Sequence, residues 1–178
     1  MDSPILLGVD PGLSGAVCVL YCPDFRITDL FDVPIKRVGK RPEIDGRSLA
    51  EQLSVCLFSP HGVVAVLEEN DGRPGQNSAS MWSFARATGC VEGVLQSLGI
   101  RIVPVRAAVW KKSLGLSSDK SKSCQKAALL WPDRHRDFYG PRGGLLDGRA
   151  EAALLAYVGY RTTGYAGRER RVQSLQAA

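Results

Sequence analysis

The chain has 178 residues, 44% of them hydrophobic and 23% charged, with a formal net charge of +5. These are the values of an ordinary globular protein of one compact domain, and they exclude a low-complexity or membrane-embedded chain. The mild basic excess is compatible with a polyanionic partner but does not specify one.

Cys18, Cys22, Cys56, Cys90 and Cys124 are scattered without a CxxC pair, the pattern of reduced thiols in a reducing compartment. His61 and His135 have no companion Cys or His at ligand spacing, which argues against structural zinc. No apolar stretch approaches the length of a membrane span, and the apolar run starting near Pro4 leaves no room for a leader. The expectation is a soluble cytoplasmic protein, nucleoid-associated if it binds DNA, and plastid only if a transit peptide has been removed.

Residues 5–9 form a short apolar run that ends at Asp10. Pro11-Gly12-Leu13-Ser14-Gly15 is a turn and 16–21 a second β-rich run, so the two make a hairpin. Residues 26–33 are the third strand of a meander, ended by Pro34, and 36–45 read as a basic loop. A helical pattern starts at Ser48. Residues 63–67 are continuously apolar, as in a central strand covered on both faces, and run into Glu68. A Gly-, Pro-, Asn- and Ser-rich loop follows to Ser80, then a helix over 80–98 stopped by Gly99, then a strand over 100–103. A short helix at 109–114 and another over 120–130, capped by Asp119, precede a polar loop at 133–146. Asp147 opens the last helix, running through Tyr157. The domain is therefore read as 1–162, with 163–178 a basic tail that frays. This order predicts an α/β, RNase H-like fold: a five-stranded mixed sheet, antiparallel meander plus parallel strands, with helices on both faces.

Asp10 and Glu68 end the two most apolar strands, so if these are neighbours both carboxylates emerge at one edge of the sheet. Asp147 and Glu151 lie four apart at a helix start and share one face. Taken singly, Asp10 also reads as a turn residue, Glu68 as a surface acid, Asp147 as an N-cap and Glu151 as a first-turn acid. Glu69 competes with Glu68 for the strand-end position; Glu68 is preferred because it directly follows the apolar run. Four converging carboxylates repel one another unless hard cations neutralise them, and Mg²⁺ fits such a set of oxygen ligands. Two such ions, about 3.5–4 Å apart, suit phosphodiester hydrolysis.

GVDPGLSGAV (8–17), Glu68, PGQNSASMWSFARATGCVEGVL (74–95), VWKKSLGL (109–116) and DGRAEAALLAYVG (147–159) together resemble the RuvC-type Holliday junction resolvases, nearest to their phage-like and plastid-type branch. The resemblance implies a homodimer that makes paired nicks in a four-way DNA junction, with Mg²⁺, or Mn²⁺ as a substitute, held by Asp10, Glu68, Asp147 and Glu151. The last pair departs from the three-residue spacing usual in the bacterial enzymes. Plastid-type resolvases share the four-residue spacing but tend to carry His where this chain has Asp147, which makes Asp147 the point of divergence. Lys111 and Lys120 resemble phosphate-contacting basic residues near the catalytic site, with Lys112 and Lys122 as alternatives.

The loop and helix start at 72–80 carry Arg73, Gln76, Asn77, Ser78 and Ser80, donors suited to phosphates and base edges, and Trp82 can stack on an unpaired base. Trp82 and Phe84 read equally as core anchors. The helix over 80–98 has more apolar surface than one packed face needs, which a twin helix in a dimer would cover. Three rival readings stay open, one of them a nuclease of the same fold acting on an RNA–DNA hybrid, against which the long loop and helix after Glu68 favour branched DNA. GVDPGLSG also resembles the phosphate-binding hairpin of actin-like phosphotransferases, which need two such domains, and the chain also suits a non-catalytic junction- or RNA-binding module.

Overall fold

The computed structural model describes residues 5–57, 62–69 and 77–162, so Arg73, Gln76 and the expected tail at 163–178 lie outside the described residues. Strands β1 (Ile5–Val9), β2 (Ala16–Tyr21) and β3 (Arg26–Asp32) pair antiparallel as a meander. The basic stretch at 36–45, expected to be a loop, forms a second hairpin instead. Its strands are β4 (Ile35–Val38) and β5 (Arg41–Ile44). A two-residue turn opening on Gly39, at φ 62, closes it, the positive φ being the sense that short hairpin turns require.

Helix α1 (Gly46–Cys56) starts two residues before Ser48, because the Asp45 carboxylate accepts both the backbone N–H and the hydroxyl of Ser48. Strand β6 (Val64–Glu69) then lies parallel to β1. Helix α2 (Ser78–Ser97) is capped by Asn77, whose side chain accepts the Ala79 N–H at 2.8 Å, so it too begins two residues early. Strand β7 (Arg101–Arg106) is parallel to β6 and completes a sheet of order β3-β2-β1-β6-β7. It runs on through Pro104, which lacks a donor and is tolerated because β7 is an edge.

Helices α3 (Ala107–Ser113), α4 (Lys120–Leu130), α5 (His135–Phe138) and α6 (Asp147–Thr162) follow. The single turn of α5 lies where the sequence reads as a polar loop. Its aromatic Phe138 is fully buried, and that burial folds the stretch inward. Among the described residues no helix is long and apolar enough to cross a membrane.

The sheet separates two apolar layers. Leu6, Cys18, Leu20 and Val66 pack on one face with Ala152, Leu155 and Ala156 of α6 and with residues of α3 to α5. Leu7, Val9, Ala65 and Leu67 pack on the other with Leu49 and Leu53 of α1 and Val91 and Leu95 of α2. The mixed sheet with helices on both faces is thus the expected architecture, with the β4–β5 hairpin added.

Helix α6 sits unusually close to the sheet. A Cβ at Gly8 would stand 1.9 Å from the Ala152 carbonyl oxygen, and one at Gly148 would stand 2.2 Å from the Ser14 carbonyl oxygen. Only glycine allows such backbone approach. Gly8→Ala is therefore expected to cost about 3 kcal/mol or more in urea unfolding, at or above the usual range for overpacking. Gly89→Ala, at an exposed α2 position where a Cβ meets nothing within 4 Å, should instead stabilise by roughly 0.5–1 kcal/mol. Equal effects from the two changes would refute the close-approach argument.

Candidate active site

Strand alternation decides where the acids go. Gly8 faces α6, and Asp10, two residues on, continues on that side; its N–H still bonds Ala16 O at 3.0 Å across the hairpin. Val66 also lies in the α6 layer, which sends Glu68 the same way and Glu69 the other. Burial agrees: Glu68 is 6% exposed and Glu69 is exposed. Parallel pairing of β1 with β6 puts Asp10 and Glu68 at one sheet edge. The first turns of α6 bring Asp147 and Glu151 to the same side, and Glu151 is only 8% exposed.

Each carboxylate has a donor. Asp10 Oδ1 accepts the Gly12 backbone N–H at 3.1 Å, inside the turn between β1 and β2. Glu68 Oε2 accepts the indole N–H of Trp110 at 3.1 Å. Glu151 Oε1 accepts the Lys111 ammonium at 2.7 Å and the Ser123 hydroxyl at 3.2 Å. Asp147 is paired with Lys120. Lys111 and Lys120 thus reach the carboxylates, whereas Lys112 and Lys122 are exposed. Arg149, between the two acids of α6, makes a bidentate pair with Asp32 at 2.6 and 2.9 Å and ties the first turn of α6 to the end of β3.

The electrostatics are those of a crowded acidic pocket. Burial pushes the Asp10 carboxyl up to about 6, with Glu151 and Asp147 adding to the rise against the Gly12 hydrogen bond and Lys111. Burial likewise pushes Glu68 up to about 7, reinforced by Asp10 and Glu151 and opposed by Lys111 and Trp110. The hydrogen bond to Asp147 holds the Lys120 ammonium above its usual pKa. Asp10 thus feels both acids of α6, and Glu68 feels Asp10 and Glu151, a set of hard oxygens whose repulsion a divalent cation would relieve. As the side chains stand, no three His, Cys, Asp or Glu residues among those described are grouped to hold a metal. Lys111 and Lys120 hold Glu151 and Asp147 instead.

The residues expected to grip nucleic acid are spread differently. Asn77 is used as the α2 cap, and Ser78 and Ser80 are exposed on its first turn. Trp82 is 51% exposed, with the Arg86 guanidinium 4.7 Å from its ring centre, and Phe84 is partly buried. Arg86 pairs in turn with Glu43 of β5 at 3.0 Å. Trp82 and Arg86 line a groove of about 900 Å³ between α2 and the β4–β5 hairpin, with Lys36, Arg41 and Arg47 on its rim. Sequence reasoning gave Trp110, Ser123 and the Gly12 N–H no place at the site. Trp110 adjoins Lys111 in the sequence, but neighbouring helical residues point in different directions, so only the docking of α3 shows that both reach the acids. Nothing in the sequence marks Ser123.

No protein-family model matches the sequence, and no curated protein resembles it in sequence at a significant level. By structure the chain is similar to Thermus thermophilus RuvC in complex with a Holliday junction substrate. The TM-score is 0.59, with 18% identity over 92% of this chain and 98% of that one. It is also similar to a second structure of Thermus thermophilus RuvC, with a TM-score of 0.48 and 15% identity over 90% and 97% of the two chains. The first likeness establishes the RNase H-like fold of RuvC for this chain.

The raised carboxyls carry a pH signature. A carboxyl that binds its proton more tightly when folded favours the folded state at low pH, and that contribution is lost as pH rises through the folded pKa. For Asp10 and Glu68 the loss runs from their ordinary values of 3.8 and 4.5 up to about 6 and 7, and is nearly complete by about pH 8. The metal-free protein should therefore melt lower at pH 8 than at pH 5.5, and Asp10→Asn should flatten that slope. Mg²⁺ should raise the melting temperature more at pH 8 than at pH 5.5. Scanning calorimetry showing a pH-independent Mg²⁺ effect would contradict this account.

Proposed function

We propose that the chain is a Mg²⁺-dependent endonuclease that cuts four-way DNA junctions. The observation that carries the reading is the arrival of Asp10, Glu68, Asp147 and Glu151 on one side of one sheet edge, with two lysine ammonium groups among them, in a RuvC fold. The Thermus thermophilus RuvC structure similar to this chain was solved in complex with a Holliday junction substrate, which supports branched DNA as the substrate.

Asp10, Glu68, Asp147 and Glu151 would hold Mg²⁺, with Mn²⁺ as a substitute, because every donor is a hard carboxylate oxygen. Bound there, a pair of such ions supplies a nucleophilic water at neutral pH and charge stabilisation at the leaving oxygen. The chain's own groups do the rest. Lys111 and Lys120 now engage Glu151 and Asp147, and on DNA binding their ammonium groups offset the scissile phosphate's charge. Ser78, Ser80, Asn77, Lys112 and Lys122 are exposed and carry donors that would meet the phosphodiester backbone, Arg73 and Gln76 would supply the same chemistry from outside the described residues, and Trp82 is available to stack on an unpaired base.

Paired nicks require two sites. The exposed Met81 and Trp82 on α2 supply an apolar patch suited to a homodimer. The protein would work in the cytoplasm, beside the DNA it acts on.

Cleavage of a synthetic four-way junction, beside a linear duplex of the same sequence and with and without Mg²⁺, tests the reading. The junction should be cut only with metal, and Asp10→Asn should slow cutting by at least about 100-fold, the upper loss seen for outer-shell partners of metal sites. Equal cutting of linear duplex, or full activity in Asp10→Asn, would overturn it; binding without cutting would favour a non-catalytic module, and ATP binding a phosphotransferase. Junction affinity should fall on the order of 10³-fold between 50 and 200 mM salt. Asp147 is the more exposed acid of α6 and its partner Lys120 is exposed, so Asp147→Asn should cost less than Asp10→Asn. Unchanged activity at ordinary Mg²⁺ would remove Asp147 from the ligand set.

A further inference from the structure

Helix α3 delivers two adjacent side chains to two different carboxylates. Trp110 is fully buried, and its indole N–H donates to Glu68 Oε2 at 3.1 Å. Lys111 donates to Glu151 Oε1 at 2.7 Å. The same ammonium lies 5.2 Å from the centre of the Trp110 ring, so the two side chains brace each other as well as their acids. A helix of seven residues thereby couples an acid at the end of β6 to an acid on α6.

We propose that Trp110 is a positioning residue for the metal centre: its indole N–H fixes the orientation of the Glu68 carboxylate. The inference rests on the reading of Glu68 as a metal ligand. Three observations favour positioning over core filling alone. Phe or Leu would fill a buried apolar site equally well, but only an indole adds a donor to that bulk, and here the donor points at the acid. The acid is itself buried, so water competes poorly for its oxygen and the hydrogen bond restrains it strongly. The Lys111 ammonium, fixed on Glu151, also lies over the ring, so the N–H has little freedom to swing away. Outer-shell donors of this kind orient ligating carboxylates and are typically worth about 10–100-fold in metal affinity or activity.

Trp131 is an internal control. It is also buried, and its indole N–H also donates, but to the Phe25 backbone carbonyl at 3.1 Å, in an aromatic cluster with Tyr157. Removing either N–H breaks a hydrogen bond, buried for Trp110 and part-buried for Trp131, but of the two only Trp110 touches a carboxylate of the site.

The test is Mn²⁺ titration by calorimetry on the full chain without DNA, for wild type, Trp110→Phe and Trp131→Phe. Melting temperatures and circular dichroism are recorded alongside. Trp110→Phe should weaken Mn²⁺ binding by roughly 10–100-fold, while Trp131→Phe leaves it within about twofold. On a junction substrate, Trp110→Phe should raise the metal concentration for half-maximal cutting more than it lowers the rate at saturating metal. If Trp110→Phe fails to fold, a benzothienyl-alanine at position 110 keeps the bicyclic shape and removes only the donor. Unchanged Mn²⁺ affinity in a folded donor-less variant overturns the inference and leaves the nuclease reading standing. Absence of Mn²⁺ binding in the wild type overturns both. Equal weakening in Trp131→Phe assigns the effect to general loss of core packing and also overturns it.

Discussion

Helix α6 lies against β1 with almost no side chain between the two backbones, and the placement of the acids follows from that contact. Gly8 and Gly148 leave the space, Ala152 and Ala156 keep it narrow, and the helix start comes to rest over the ends of β1 and β6. Any Cβ at Gly8 would meet the backbone of α6, which cannot shift locally without carrying Asp147 and Glu151 with it. The Arg149–Asp32 pair fixes the same turn sideways against β3. The geometry of the pocket is therefore set by backbone contact, and its side chains only finish it.

That arrangement has an electrostatic cost that the fold distributes rather than removes. Glu68 is buried and Asp10 partly so, and each feels the charge of at least one acid on α6. A backbone N–H, an indole, a serine hydroxyl and two lysines each supply a donor to one of the four. The result is a pocket less stable than an apolar core of similar shape, the usual compromise where function and stability compete for the same residues.

Much of this was legible in the sequence because it rests on strong local signals. The apolar runs before Asp10 and Glu68 fix two strands, and the period of two along β6 separates Glu68 from Glu69 once one face is known. Asp119 and its following helix read correctly from capping chemistry. The hairpin β4–β5 was missed because charges and Pro42 mask its alternation, leaving Gly39 as the single cue. The turn of α5 was missed because tertiary burial of Phe138, not local propensity, creates it. At the site, residue types announced the acids and lysines. The donors Trp110 and Ser123 depend on how α3 and α4 dock, and docking is a property of the whole chain.

The close packing of α6 on β1 also bears on when the pocket exists. Its members lie at positions 10, 68, 147 and 151; pairing of β1 with β6 brings the first two together, but the α6 acids reach them only through contacts that span most of the chain. The helix that carries the last pair is also the last described element, ending at Thr162. A ribosome-bound chain that has made the sheet but not yet docked this helix holds half of the acids, far from the others. The four acids thus come together only when the helix at 147–162 docks, after the strands that carry the other two have paired.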